Sequence, residues 1–330
     1  MNTFSSGINT SFSTELNENF TEAEELRSLD FNDNILTEDF HYVDYSQSSG
    51  TVTLEAGKVY KFKSFNQTGG TLTVDGASDS PLVIIVDGNC VIDGTIDLSG
   101  LGYPATAQRY GDKSTGYTGG DWDVDYSTSG KGAGLGGVGG NKDTNVGGTG
   151  GAVQVYVAFS DVPSATNLFY RNNITAGAGG GSGGCGEEQE DISSPQYGSG
   201  GFGGAGGGAL IIICKGNLTV SGTINLSGQN GGNGGANYGN HSGGGGGGAG
   251  AGGSCVLMRT GTYSETGTIT LTGGTGGSGF GGGQGRGGGG GAGGSGPGAN
   301  GTAGDTAGSN TGIGGDGGDG GDGAKYTYQI

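Results

Sequence analysis

The sequence predicts an all-β protein in which repeated strand pairs form a β-sandwich or short solenoid, with glycine-rich excursions between them. Two observations predict it: one strand-like segment recurs along the chain, and glycine supplies 88 of 330 residues. Hydrophobic residues, with glycine left out of the count, make up 30% of the chain, whereas globular domains carry roughly 40% on a similar count. The chain therefore cannot form one large conventional core.

The recurring segment is the strongest signal. Residues 82–100 align without gaps onto residues 210–228, and a third copy covers residues 255–273. A looser fourth copy runs from Ala152 to Gly177. Self-similarity of this kind is typical of architectures in which each repeat buries its apolar face on its neighbour.

Each copy has the same internal order. A run rich in Ile and Val comes first, then a turn at Gly88 or Gly216, each followed by Asn, a pair that tolerates positive φ. An alternating strand follows, in which Ile96 and Leu98 point one way and the polar residues the other. We expect equivalent apolar positions to be buried: Ile84, Ile96, Ile212, Ile224, Leu257 and Ile269.

Further strands flank the repeats. Residues 50–55, 58–63 and 70–74 alternate in the same way, and residues 324–330 read as a closing strand. These limits predict two regions. Residues 1–49 form an attachment arm with a short helix, and residues 50–330 form the repeat body.

The glycine-rich excursions are predicted to be ordered as polyproline-II helices packed in a bundle, rather than disordered or collagen-like. A polyproline-II helix has three residues per turn and no internal hydrogen bonds, so its backbone can bond laterally where no side chain intervenes. Asp316, Asp319 and Asp322 recur at one phase and should lie on a solvent-facing edge. The tracts are 131–151, 176–208, 229–253 and 273–323.

Glycine-rich excursions anchored by short strands and tipped by aromatic loops resemble the distal adhesins of long tail fibres in T-even-type bacteriophages. The resemblance covers about residues 130–323. In that family of adhesins, the glycine-rich excursions are bundled polyglycine-II helices. Residues 12–20 are also similar to the leading segments of many phage fibre and virion proteins. The resemblance implies a virion protein that recognises the host surface, while the strand-pair repeat is not part of that adhesin pattern.

Charge and targeting signals narrow the partners. The formal net charge is −18, and a chain this acidic is repelled by phosphate backbones, which argues against nucleic-acid binding. The N-terminal residues lack a secretory pattern, and no apolar run is long enough to span a bilayer. We expect a protein made in the host cytoplasm and placed in the virion.

The expected function is therefore a virion structural protein, as a tail-fibre tip or receptor-binding adhesin. Its partners would be other virion proteins, through the arm, and a host surface glycan or protein; self-association stays open. One alternative is a capsid decoration or other purely structural subunit. A second alternative is a cell-surface filament or ice-binding protein.

Catalysis is not expected. His41 and His241 lie far apart in polar contexts, and no convincing carboxylate pair stands out. The many Gly-x-Gly-x-x-Gly matches follow from composition, because none links a strand to a predicted helix. No cofactor is implied.

Aromatic residues are the candidate recognition residues, because large amphipathic rings among Gly and Asn make economical binding surfaces. The alternative role for each ring is to hold its own loop against the bundle. A lone Phe202 also stands in a glycine excursion. The candidate receptor-binding residues are Tyr103, Tyr110, Tyr117, Trp122, Tyr126, Tyr197, Tyr238 and Phe280.

One segment offers a candidate metal site. Asp121, Asp123 and Asp125 alternate and could share a face that holds Ca²⁺, but the segment fails the EF-hand pattern. The cysteine spacing matches no zinc or redox motif. Cys185 lies in a glycine loop, whereas the other three are expected to be small buried hydrophobes: Cys90, Cys214 and Cys255.

Overall fold

The computed structural model describes residues 43–78, 80–104, 176–181, 201–235, 245–280 and 315–329. Within these ranges the regular structure consists of fifteen short β-strands, without helices. The strands are β1 Tyr45–Gln47, β2 Thr51–Leu54, β3 Val59–Phe62, β4 Phe65–Gln67, β5 Thr71–Val74, β6 Leu82–Val86, β7 Cys90–Ile92, β8 Thr95–Asp97, β9 Leu210–Cys214, β10 Leu218–Val220, β11 Thr223–Asn225, β12 Ser254–Arg259, β13 Tyr263–Glu265, β14 Thr268–Thr270 and β15 Ala324–Gln329.

The strands form three five-stranded sheets that the chain visits in turn. Sheet A has the order β1-β4-β7-β10-β13, sheet B β2-β5-β8-β11-β14, and sheet C β3-β6-β9-β12-β15. Every pair of neighbouring strands is parallel. Three successive strands therefore make one coil, and five coils stack into a solenoid. Of the two predicted arrangements, the sandwich is wrong.

The strand register reproduces the sequence repeat. Leu82 pairs with Leu210 and Thr95 with Thr223, the same offset that separates Asn89 from Asn217, 128 residues. The third copy follows at an offset of 45 residues. The predicted strands at residues 50–55, 58–63, 70–74 and 324–330 are confirmed as β2, β3, β5 and β15.

Alternating side chains from all three sheets fill the solenoid interior. Five of the six expected core positions (Ile84, Ile96, Ile212, Ile224 and Leu257) are completely buried. Ile269 is half-buried, because β14 is an edge strand of sheet B in the part of the chain that the structure describes. Cys90, Cys214 and Cys255 are buried free thiols, as predicted. Burial raises the pKa of the Cys255 thiol to about 12.

The two ends of the interior are closed differently. At the first coil, Tyr45 stacks on Phe65 with ring centroids 4.4 Å apart, and Phe62 meets Phe65 edge-on. At the last coil, strand positions that hold Val220 and Cys255 in the preceding coil hold a partly exposed ion pair instead. Lys325 Nζ lies 2.8 Å from a carboxylate oxygen of Glu265. Terminal repeats commonly carry such atypical caps.

The Gly-Asn turns need glycine for a reason other than the one predicted. The described glycines with positive φ are Gly50, Gly57, Gly70 and Gly100, so Gly88 and Gly216 do not use the positive φ that the Gly-Asn pair tolerates. Instead, a Cβ on Gly216 would lie 2.7 Å from the carbonyl oxygen of Gly88 in the coil below.

The asparagine that follows each of these glycines ties the stacked turns together. Asn89 Oδ1 accepts a hydrogen bond of 2.9 Å from the Asn217 N–H, and Asn217 Oδ1 accepts one from the Thr262 N–H. The Gly-Asn pair is thus a stacking device, in which glycine permits the close approach and asparagine bonds to the next coil.

The glycine-rich excursions all leave the solenoid at one corner, between sheet B and sheet C. They interrupt coils three, four and five, after β8, β11 and β14. Seven stretches of these excursions are described: segment I (98–104), II (176–181), III (201–209), IV (226–235), V (245–253), VI (271–280) and VII (315–323).

The repeat body begins earlier in the chain than the sequence predicts. Strand β1 pairs with β4 inside sheet A, so the repeat body begins before residue 50, where the arm was predicted to end. The rest of the arm, and residues 152–175 of the loose fourth copy, lie outside the described ranges. Within those ranges no helix is long and apolar enough to cross a membrane.

Candidate recognition surface

Segment V is the centre of the glycine-rich region. All nine of its residues, 245–253, are buried, and eight successive N–H groups donate to neighbouring segments over 2.8–2.9 Å. The acceptors repeat with a period of three. Residues 246, 249 and 252 donate to segment VII, residues 247, 250 and 253 to segment IV, and residues 248 and 251 to segment II.

The neighbours of segment V run in both directions. Its partners in segment VII follow the order Gly315, Gly318, Gly321, so these two segments are parallel. The partners in segments II and IV fall in reverse order, so those pairs are antiparallel. Segments III and VI donate to its carbonyl groups. Five segments therefore surround segment V, and they contact it through backbone hydrogen bonds.

Side chains replace backbone partners at the outer segment VI. The N–H groups of Gly273, Gly276 and Gly279 donate to carboxylates of segment VII, over 2.7–2.9 Å. Two further N–H groups, of Thr275 and Ser278, donate to side-chain oxygens of segment IV. The capping side chains are Asp316, Asp319, Asp322, Asn230 and Asn233.

The prediction that the three aspartates lie on one solvent-facing edge is therefore confirmed, and the structure gives them a second role as hydrogen-bond acceptors. The three aspartates are exposed and share one phase of segment VII. Their carboxylates also accept backbone hydrogen bonds, which orders the segment beside them. The asparagine caps were missed, although Asn230 and Asn233 show the same spacing of three residues in the sequence.

Exposed phenyl rings lie at the end of the described segments that is remote from the strands, which we call the distal end. Segment III runs inward to β9, whereas segment VI runs outward from β14, so Phe202 and Phe280 both lie near this end. Phe202 is 50% exposed and Phe280 42% exposed. Phe202 also lies against segment IV, where a Cβ on Gly232 would overlap its ring.

Tyr103 lies in a different environment. Its side chain is half-buried and packs against an apolar cluster that includes Ala176, Ala209 and Val256. Its N–H donates to the Gly177 carbonyl over 3.1 Å, and its own carbonyl accepts from Gly206. This arrangement favours the role of holding a loop against the glycine segments.

The other candidate recognition residues lie in parts of the chain that the structure does not describe. Tyr110, Tyr117, Trp122, Tyr126, Tyr197 and Tyr238 lie outside the described residues, as do Cys185 and the weak calcium candidates Asp121, Asp123 and Asp125. Across the described part of the chain, no three His, Cys, Asp or Glu side chains come together as a metal site.

A group of charged and hydrogen-bonded side chains lies at the last coil, away from the distal end. Burial raises the pKa of Glu265, but hydrogen bonds from Lys325 and Tyr263 outweigh it, and the pKa falls below its usual value. Burial and the same carboxylate raise the pKa of the Tyr263 hydroxyl. Arg259 lies over the Tyr263 ring, 5.0 Å from its centroid.

Comparison with known proteins adds no further assignment to these surfaces. No protein-family model matches the chain, and no curated protein or solved structure matches it significantly.

Proposed function

We propose that the protein is a structural component of a virus particle that serves as a tail-fibre tip or receptor-binding adhesin. One observation carries the proposal: laterally bonded glycine segments hold two exposed phenyl rings at the end of the described segments that is remote from the solenoid. Large rings dominate binding hot spots, whereas glycine offers little side-chain area. When such rings are held on an ordered base, less conformational entropy is lost on binding.

In this proposal the glycine segments are polyproline-II helices packed as a bundle. The period of three in the hydrogen bonds of segment V supports it, because a polyproline-II helix has three residues per turn. So does the crowding at Gly246, Gly250 and Gly252, where an added Cβ would overlap a neighbouring carbonyl. Glycine is then required by backbone contact with neighbours on several sides.

The attachment role falls to the N-terminal arm, shortened to the residues before β1. Its partners would be other virion proteins. Deletion of residues 1–42 should leave the folded protein absent from particles, while its adsorption to host cells persists. Mass spectrometry of purified particles measures the first result, and sedimentation with cells the second.

The adhesin proposal is tested by replacing the two exposed rings. We expect Phe202→Ser with Phe280→Ser to reduce adsorption to host cells at least tenfold, with melting temperature and particle incorporation unchanged. Tyr103→Ser is the matched control, because its ring is packed and its loss should lower the melting temperature instead. Normal adsorption of the double variant would remove the adhesin role from this end.

The competing proposal is a capsid decoration or other purely structural subunit. Tyr103 favours it, because the one candidate tyrosine that the structure describes packs inward. A structural subunit would incorporate into particles and show no adsorption to cells, with or without the two phenyl rings.

A further inference from the structure

The outer face of sheet B carries a uniform row of threonines. One threonine from each coil occupies the same register position, and these residues pair from strand to strand along the solenoid. The row consists of Thr51, Thr71, Thr95, Thr223 and Thr268. Each is exposed or half-buried, so the row is open to solvent.

A second polar row lies two residues further along the same strands. Thr53 and Thr73 occupy it in the first two coils, and Thr270 in the last. Asp97 and Asn225 fill the middle coils, where Asn225 Nδ2 donates to Asp97 Oδ1 over 3.2 Å. Strands lie about 4.8 Å apart and alternate residues about 6.6 Å apart, so the two rows form a regular lattice.

Strand propensity alone does not account for this uniformity. Threonine is β-branched and polar, so it suits any exposed strand. The outer row of sheet A is equally open, yet it changes from coil to coil through Ser46, Asn66, Val91, Thr219 and Ser264. The two faces share one backbone architecture, so the threonine row reflects a further requirement.

The chemistry of the face selects its partner. Two rows of five positions hold a single carboxylate, in a chain of net charge −18. A neutral partner is therefore favoured over an anionic one. Threonine hydroxyls both donate and accept hydrogen bonds, as sugar hydroxyls do. The Asp97 and Asn225 pair adds a carboxylate acceptor and an amide donor in the middle, which suits hydroxyl groups but interrupts the regular hydroxyl lattice that an ice surface would require.

The polar face also continues onto the glycine segments. Beyond the two rows, Thr272 Oγ1 lies 3.4 Å from Ser227 Oγ. Asn230 and Thr275 follow in hydrogen-bonded contact, then Asn233 and Ser278. The spacing changes from two residues in the strands to three in the glycine segments, yet the polar residues stay on adjoining chains. An extended partner could lie along this surface from the solenoid towards the distal end.

We propose that the outer face of sheet B binds a neutral, hydroxyl-rich polysaccharide chain. This inference rests on the proposed recognition function in one respect: the glycan is taken to belong to a host surface. It concerns a surface separate from the phenyl rings. Binding to a purified glycan therefore tests it without cells or particles.

The test is native electrophoresis of the full chain through gels that contain one polysaccharide each. The neutral probes are dextran, mannan, laminarin and hydroxyethyl cellulose, and polygalacturonate is the anionic comparator. We expect retardation by at least one neutral glycan. The triple variant Thr71→Val, Thr95→Val, Thr223→Val should weaken that binding at least tenfold, because valine keeps the shape but removes three hydroxyls.

Two control variants keep the result interpretable. Thr219→Val, on the outer face of sheet A, should retain binding within twofold of the native protein. The corresponding triple serine variant keeps the hydroxyls and should also bind. All variants should keep the native melting temperature within a few degrees.

Three outcomes would overturn the proposal: no retardation by any neutral glycan, retardation by polygalacturonate alone, or unchanged binding by the valine triple variant. Arrest of ice-crystal growth without glycan binding would assign the same face to ice instead. If the protein adsorbs to cells while every neutral glycan fails, the recognition function stands and this inference falls.

Discussion

The coils and the glycine segments satisfy buried backbone groups in opposite ways. In the three inner coils, each strand bonds to two flanking strands within its sheet. Side chains such as Ile212 and Ile224 fill the space between the sheets. In segment V, the backbone bonds to five neighbours and leaves no space for most side chains. The same chain thus obtains order from apolar side chains in one region and from their absence in the other.

This difference predicts opposite responses to a single methyl group. An added Cβ at Gly250 would overlap the carbonyl of Ala205. Overpacking costs about 1–3 kcal/mol or more, and here the obstacle is backbone that cannot rotate away. We expect Gly250→Ala to destabilise the protein by about 3 kcal/mol or more, measured by urea unfolding, with faster amide exchange in segments III, IV and V.

Two further substitutions separate backbone crowding from the general effect of a methyl group. Gly76→Ala adds the same methyl where nothing lies within 4 Å, and it should be neutral or stabilising by about 0.4–1 kcal/mol. Ile212→Val removes one methylene from the solenoid core and should cost about 0.5–1.5 kcal/mol. If Gly250→Ala is as mild as Gly76→Ala, the segments are not packed backbone to backbone.

The carboxylate caps give a smaller and more local effect. We expect the triple variant Asp316→Ala, Asp319→Ala, Asp322→Ala to speed amide exchange at Gly273, Gly276 and Gly279 several-fold, because water replaces a fixed acceptor. The triple asparagine variant keeps an acceptor oxygen and should exchange almost as slowly as the native protein. Equal exchange in all three proteins would contradict the capping role.

The ion pair at the last coil gives the smallest effect, and it depends on pH. The folded state lowers the pKa of Glu265, so its stabilisation is present above the unfolded pKa and is lost as pH falls through the folded pKa. Glu265→Gln should therefore reduce stability at pH 7 and narrow its difference from the native protein in acid. Chemical unfolding at pH 7 and at pH 3 measures both. Salt should weaken the effect, because the pair is partly exposed.

The coil architecture was largely predictable from the sequence because its signal is local and repeated. The gapless alignment of residues 82–100 onto 210–228 gave the register, and alternation gave the buried face. Parallel pairing in three sheets was not predictable from the pattern alone. Alternating polar and apolar residues indicate a strand with one solvent-exposed face. Such alternation is more typical of antiparallel sheets, so the pattern does not predict parallel neighbours.

The contacts of the glycine segments were harder to predict, since glycine carries no pattern that selects its neighbour. The phase of Asp319 was visible, but its acceptor role towards Gly276 depends on which segment lies beside it. Phe202 and Tyr103 show the same limit in the candidate site. Both are aromatic residues among glycines, yet one is exposed and the other packs inward, because their neighbours come from remote parts of the chain.

The common exit corner of the excursions has a consequence for the order of folding. The first two coils join strands about 20 residues apart, as Gln47 and Gln67 are, whereas the third coil must wait for β9, 128 residues after its partner β6. Lengthening such a connection adds only about 0.6 kcal/mol of closure entropy per doubling, but distant pairing slows folding. During synthesis, the first two coils would be complete long before β9 leaves the ribosome, and β6 would then be available for β9 to pair with. Assembly would then proceed in one direction, each later coil forming on the one beneath it.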